Sequence, residues 1–514
     1  MTADGTPPVE VEAAKPASPV TRWSFWLAAI VASAVVVITL RHIVRDLPNY
    51  TGIVTSDPSG TWTGLAVDLA NGEFYRPLVS DDGFGGTRYF PLHVVLHASA
   101  IKLGLGPVVA GHLISLGSLV ALLVAAYLLL RRMGVQRSLA VCACTLTLGL
   151  YSQQLALVEV RGDLLPAALN LWGLVVFVSN RVSNRVSNRS GLGLTAALFT
   201  LAFLAKMTTV FGAVAVALSL LFAGQRKAAL RFVGWMALGC TAGLVVVYIA
   251  SGGRALQAIT AVASGGASWV EIVLRAPLLM LNIVLPSDVI LAVLALGTVA
   301  GLPRQERRDV LPLAVLTTGI ITLVMYGSPG VDRNHLIDFD FIAMVFLVAS
   351  GARGRIPLAQ AMTGLALAVL IMVPTILRQP PPQRATIEKV IAETRSGAGP
   401  LLVENPWWAI LAGERPFMLD AFNLRIMANR DPEVARALYT RLDTRFFRAV
   451  ILEMPIDAPE FLWGDRWYGD VHFGKEFPEH LTANYDLVTT YPGARGSSYF
   501  IWRPKAPSMP KHGD

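Results

Sequence analysis

Four polar stretches place ionisable side chains at the ends of apolar runs, all on what reads as the same side of the chain. The first, Asp57 to Leu103, carries Asp57, Asp81, Asp82, Arg88 and His93. The second is VEVRGDLLPAAL, with Glu159, Arg161 and Asp163; the third is LAFLAKMTTV, with Lys206 alone. The fourth is YGSPGVDRNHLIDFD, Tyr326 to Asp340, with Arg333, Asn334 and His335. Ionisable groups near a bilayer are costly and persist where they line a cavity or pathway. Carboxylates accept protons, and guanidinium or ammonium groups stabilise phosphate charge. Such a set suits breaking the bond between a sugar and a polyprenyl phosphate, an anionic leaving group, while a carboxylate activates an acceptor hydroxyl.

On that chemistry Asp57 is the candidate base, because it follows the first apolar run closely and partial desolvation there would raise its basicity. Lys206, Arg161 and Arg333 are candidates for the donor phosphate. Asp163, Asp81, Asp82, Arg88, His93, Asn334 and His335 are candidates for other substrate contacts. Each has a plainer reading. Asp81 and Asp82 fit a solvated Gly-rich turn, Glu159 to Asp163 a structural ion pair, Lys206 a side chain reaching to headgroups, and Asn334 a helix cap.

The elements that position these residues follow from composition. Of 514 residues 54% are hydrophobic and 15% charged, against about 25% charged in soluble domains. Trp23 to Leu40, Val108 to Leu130 and Phe232 to Ile249 carry no Asp, Glu, Lys or Arg, and about 18 such residues suffice to cross a bilayer as helix. The fold class is therefore a polytopic α-helical membrane protein with about eleven spans: Trp23 to Ile43, Pro107 to Leu130, Ser138 to Leu157, Leu164 to Ser179, Leu194 to Ala205, Thr208 to Ala223, Phe232 to Ala250, Ile283 to Leu302, Val310 to Tyr326, Leu336 to Ser350 and Ile356 to Leu377. A net charge of +8 does not imply nucleic acid, since the basic residues form short clusters between apolar runs. Cys142, Cys144 and Cys240 lie in apolar runs and offer neither a disulfide nor a metal framework.

Basic clusters such as Arg131, Arg132 and Arg137, or Arg304, Arg307 and Arg308, occupy every second loop. The positive-inside tendency then puts the amino terminus in the cytoplasm and the Asp57 stretch and the carboxyl terminus outside. Residues 1–21 read as a disordered cytoplasmic tail, and 22–377 as the membrane domain with a first outer loop at 44–106. SNRVSNRVSNRS, Ser179 to Ser190, reads as a cytoplasmic linker, and Trp269 to Leu281 as an interfacial helix. Residues 378–514 read as a small extracytoplasmic α/β domain. In it Thr386 to Thr394 and Pro432 to Leu442 are expected helices, Pro400 to Glu404 and Ala449 to Glu453 strands, and Tyr485 to Thr490 with Ser498 to Trp502 a hairpin.

Several motifs go further: Asp57 early in the outer loop, LAVDLANGEFY ending at Tyr75, RYFPLHVVLHASAIKLG from Arg88, Arg161 with Asp163, Lys206 with Thr208, and Asn334-His335-Leu336 opening a late span. On these, and on MLDAFNLRIMANR and FFRAVILE in the tail, the chain resembles the polytopic glycosyltransferases of the GT-C fold, specifically bacterial relatives of protein O-mannosyltransferases and of the lipid A aminoarabinose transferase. The resemblance implies an enzyme of the bacterial plasma (inner) membrane. It would move a sugar from a polyprenyl-phosphate donor to a lipid, glycan or protein acceptor of the cell envelope, on the outer face and with inversion. No cofactor is required by it; a divalent metal ion is left open, because relatives differ. Two departures stand out. Asp57 is followed by Pro58 where many relatives have paired acids, so a second acid must come from elsewhere. Tyr89-Phe90-Pro91-Leu92 replaces a Lys-Pro-Pro-Leu element, which weakens the analogy to the aminoarabinose enzyme's substrate.

The alternative class is a transporter or flippase of a lipid-linked or sugar substrate. It is disfavoured by the lack of an inverted repeat and of ionisable residues at the centres of most spans. A noncatalytic assembly subunit is a second alternative.

Overall fold

The structure, a computed structural model, describes residues 19–46, 56–182, 189–377, 384–458, 466–493 and 498–506. The expected tail up to Ser18, half of the Ser179 to Ser190 repeat and the PPPQ segment therefore lie outside the described residues.

The membrane part comprises α1 (Pro19–Asp46), α2 (Asp57–Ala70), α3 (Pro91–Lys102), α4 (Pro107–Arg132), α5 (Arg137–Leu148), α6 (Tyr151–Val158), α7 (Leu164–Val182), α8 (Arg189–Ala205), α9 (Phe211–Phe222), α10 (Arg226–Ala250), α11 (Arg254–Ala261), α12 (Trp269–Ile283), α13 (Pro286–Gly301), α14 (Val310–Tyr326), α15 (Ile337–Ala352), α16 (Leu358–Leu370) and α17 (Val373–Leu377). Pro107 begins α4 and Arg131 and Arg132 close it, a proline where no N–H partner is needed and cations at the negative end of the dipole.

Every one of the expected spans is helical, but they are not equal. By length and composition, six helices are apolar enough to cross a membrane, or up to eight if each bent pair is one span, and three more apolar helices are shorter. The expected span Ser138 to Leu157 is one such pair, α5 and α6, bent by 74°. Gly149 sits at the bend, where a Cβ would lie 2.5 Å from Val369 and 2.6 Å from Val35; only glycine allows that approach. The interfacial expectation at Trp269 coincides with α12, whose Trp269, Val270, Leu274 and Leu281 face outward.

At the other extreme is α15, in which every residue from Ile337 to Gly351 is buried. It packs on α13, α14 and α16 inside one large apolar core. Polar groups on its first turn are thus presented to protein, not to lipid.

The carboxyl-terminal part is a sheet of β3 (Leu401–Val403), β4 (Ala449–Leu452), β5 (Tyr485–Pro492) and β6 (Ser498–Pro504), after the loop hairpin β1 (Val79–Ser80) and β2 (Gly83–Phe84). Its order is β3-β4-β6-β5, with β3 and β4 parallel and the other pairs antiparallel. Around it lie α18 (Arg384–Arg395), α19 (Trp407–Ala412), α20 (Ala421–Arg430), α21 (Pro432–Asp443) and α22 (Phe477–Asn484). The expected helices, strands and hairpin are present; α19, α20 and α22 are additional.

This domain is stitched into the segment between α1 and α4. Phe84 N–H donates to Phe417 O at 2.8 Å, and Thr61 Oγ1 donates to Leu419 O at 2.8 Å. Arg76 pairs with Asp68 at 2.6 Å, both buried, and Arg415 adds a 2.8 Å bond to the same carboxylate and an ion pair with Glu73. Arg441 lies over the Phe84 and Phe417 rings and donates to Ser80 O at 2.9 Å.

Candidate functional site

The site is built where four chain breaks meet. Between α6 and α7 the chain turns at Glu159 to Asp163; between α8 and α9 it breaks at Lys206; α2 and α3 lie above; and the short 3-10 turn Arg333–Leu336 feeds α15. Lys206 Nζ donates to Asp163 Oδ1 at 2.6 Å. Arg161 pairs with Glu159 and stands 4.0 Å from Asp163. His335 lies within electrostatic reach of Lys206, Asp163, Arg88 and Arg161. The second, third and fourth polar stretches of the sequence are therefore one cluster.

Its electrostatics are set by that contact. Burial by itself would raise the Asp163 carboxyl, but Lys206, then Arg161 and His335, outweigh it and hold it well below the usual carboxylate range. Burial likewise opposes the Arg161 cation, and Glu159 and Asp163 reverse the effect and raise it. Both sides of the cluster stay charged.

The first outer loop reaches this cluster through aromatics. Trp62 of α2 stacks on Tyr89 at 4.1 Å and meets His93 edge-on at 4.8 Å. Gly162, between Arg161 and Asp163, lies directly under the Trp62 indole: a Cβ there would be 2.4 Å from it. Arg88 donates to Pro329 O at 3.1 Å and Gly330 O at 3.0 Å and lies over the Phe422 ring. It thereby joins the first loop, the late outer loop and α20. Tyr75, with a left-handed φ of 56°, is held by its hydroxyl donating to Tyr89 O at 2.8 Å, a strained residue fixed by its surroundings.

Other sequence candidates are placed differently. Asp57 is the first residue of α2, with Pro58 in the first turn; its side chain lies outside the described residues. Asp81 and Asp82 are exposed at the turn between β1 and β2, Asp81 being 3.9 Å from Arg441, and are not brought to the cluster. His93 is completely buried with neither ring nitrogen hydrogen-bonded; burial, then His97, lowers it to about 3. Arg333 lies over the Tyr151 ring at 5.1 Å and within reach of Asp288. Asn334 is half-buried beside it.

Four residues were not singled out as site candidates from the sequence: Trp62, Tyr89, Asp338 and Glu404. Asp338, in the first turn of α15, is within reach of Lys206 and Asp163. Glu404 ended an expected strand; it is buried and accepts from His472 Nδ1 at 2.6 Å, Trp467 Nε1 at 2.7 Å and Glu453 N–H at 2.8 Å. The next residue, Asn405, abuts the first turn of α2, since a Cβ on Gly60 would be 2.8 Å from its side chain. Among the described residues no three His, Cys, Asp or Glu side chains could hold a metal ion, and no step below is routed through one.

A bundle of long, bent and short apolar helices, a structured first outer loop and a terminal sheet domain together define a GT-C-type membrane fold. Among solved structures the chain is similar to ArnT from Cupriavidus metallidurans bound to undecaprenyl phosphate, with a TM-score of 0.53 and 12% identity over 94% of this chain and 98% of that one. The Archaeoglobus fulgidus oligosaccharyltransferase tethered to an acceptor peptide is similar at 12% identity over 95% of this chain and 75% of that one, with a TM-score of 0.47. No family model matches the chain, and no curated protein matches it by sequence.

Proposed function

We propose that the protein is an integral membrane glycosyltransferase that moves a sugar from a polyprenyl-phosphate donor to a lipid, glycan or protein acceptor on the outer face of a bacterial plasma membrane. The observation that carries this reading is the Lys206, Asp163 and Arg161 cluster, buried at a membrane corner under the first outer loop. Two cations there can take an anionic headgroup, and the chain's fold is shared with an ArnT structure that holds undecaprenyl phosphate.

In this reading the donor phosphate engages Lys206 and Arg161, with Arg333 close to the lipid path. His335, Asn334, Arg88, His93 and Asp163 shape the space for sugar and acceptor. The acceptor oxygen attacks the anomeric carbon from the side opposite the phosphate, and its proton passes to Asp57. The bond from that carbon to the phosphate oxygen breaks, and the polyprenyl phosphate leaves with its charge on the two cations. Such a displacement inverts the anomeric centre. The amino terminus is then cytoplasmic and the sheet domain extracytoplasmic.

The test is transfer from a radiolabelled polyprenyl-phosphate sugar by the purified chain in vesicles, with Asp57→Asn beside it. Loss of glycosidic product in the variant supports the base assignment; undiminished transfer removes it. Movement of the sugar lipid across the vesicle without any product would favour a transporter instead.

A further inference from the structure

Asp338 is an acidic group near the cluster that neither the proposed transfer nor an ion pair uses. It lies at the start of α15, three residues beyond His335, and is 9% exposed. Lys206 and Asp163 are both within electrostatic reach of it. The Lys206 ammonium, however, is directed to Asp163 at 2.6 Å. Among the described residues no group donates a hydrogen bond to Asp338. Its helix neighbour Asp340, by contrast, takes one from Ser152 Oγ at 2.7 Å. A carboxylate nine-tenths buried without a donor is costly, and this one lies within electrostatic reach of the cation that the reading above gives to the donor phosphate.

We infer that Asp338 reads the donor sugar: its carboxylate accepts hydrogen bonds from hydroxyl groups of a sugar whose phosphate is held at Lys206. A carboxylate offers only acceptors, so it matches a pair of neighbouring hydroxyls and rejects a sugar in which they are blocked. Buried polar groups built for a hydroxyl discriminate strongly against an analogue that lacks it, because they are left unpaired. The inference rests on the assignment of Lys206 to the donor phosphate and adds to it the sugar-facing group.

Binding of two lipids to the full chain in nanodiscs tests it: a bare polyprenyl phosphate and the same lipid carrying a sugar accepted in the transfer assay. In the native protein the sugar adds affinity. Asp338→Asn lowers affinity for the sugar-bearing lipid by roughly tenfold or more, as loss of a charge-assisted hydrogen bond should, and leaves the bare lipid within about threefold. Asp338→Glu, which keeps the charge, restores part of the sugar-dependent gain. Equal weakening of both lipids by Asp338→Asn would make Asp338 only a counter-charge to Lys206 and overturn the inference, as would no effect on either. Failure of the native protein to bind the bare lipid would overturn the donor-site reading itself, and this inference with it.

Discussion

Lys206 Nζ and Asp163 Oδ1 are 2.6 Å apart at the junction of two broken helices, with Asp163 more buried than Lys206. The cation that a donor phosphate needs is thus already neutralised by a carboxylate. A phosphate arriving there must share or take over that partner, so donor binding and the freedom of Asp163 are coupled.

Removing the lysine tests this directly. Lys206→Met leaves Asp163 buried with Arg161 as its nearest cation at 4.0 Å. Truncating one partner of a buried pair costs about 3–5 kcal/mol, and the residual exposure of Lys206 puts the expected cost at the low end. We expect a lower thermal midpoint and no measurable transfer. Lys206→Met with Asp163→Asn together should regain stability without regaining transfer, as measured by thermal unfolding and product formation on the same preparations.

The Asp68 and Arg76 pair locks the first outer loop to the sheet domain. Asp68→Ala strands Arg76 in the interior and also frees Arg415. The expected loss is again about 3–5 kcal/mol. Limited proteolysis should show faster cleavage around Glu414 to Leu419, which would be unaffected by an exposed control such as Glu433→Ala.

Gly162 is a sharper probe of the site, because it changes packing and no charge. Gly162→Ala puts a methyl group into the Trp62 indole and must push α2 away from Tyr89; overpacking of this kind costs about 1–3 kcal/mol. Transfer should fall by at least tenfold, with a fall in the thermal midpoint that matches a loss of about 1–3 kcal/mol.

How far the sequence carried the reading differs between fold and site. Span positions were legible because burial in lipid demands a long apolar run and little else. That signal could not show that α5 and α6 bend at Gly149, which depends on the closeness of Val35 and Val369. The cluster of Arg161, Asp163 and Lys206 was legible as charges at the ends of apolar runs. Asp338 was not, since an acid in the first helical turn is ordinary and only the fold brings it to Lys206. In the sheet domain, α20 had a readable start: Asp420 caps it by accepting from Asn423 N–H at 2.9 Å. Glu404 had none, because its partners His472 and Trp467 lie more than sixty residues away.

The buried histidines of α3 predict acid sensitivity. Burial lowers His97 to about 4 and His93 to about 3. The unfolded chain takes up these protons near pH 6.5, whereas the folded chain resists them. Their contribution is therefore complete above pH 6.5 and is lost as the pH falls toward 4. At about 1.4 kcal/mol per pKa unit, His97 alone accounts for roughly 3 kcal/mol across that window. Thermal midpoints should drop steadily from pH 6.5 to 4, and His97→Gln should flatten the slope.

Asp81 and Asp82 provide the contrasting expectation. Both are exposed in a hairpin turn, where substitutions usually change stability by no more than about 0.5 kcal/mol. Asp81→Asn with Asp82→Asn should leave transfer within about twofold, measured with the same labelled donor.

The most direct measurement is the position of a bound polyprenyl phosphate in a cryo-EM or crystal structure of its complex with this chain. The account predicts its phosphate between Lys206, Arg161 and the first outer loop, with the Lys206 contact to Asp163 lengthened. A phosphate bound elsewhere, with Lys206 still on Asp163, would contradict it.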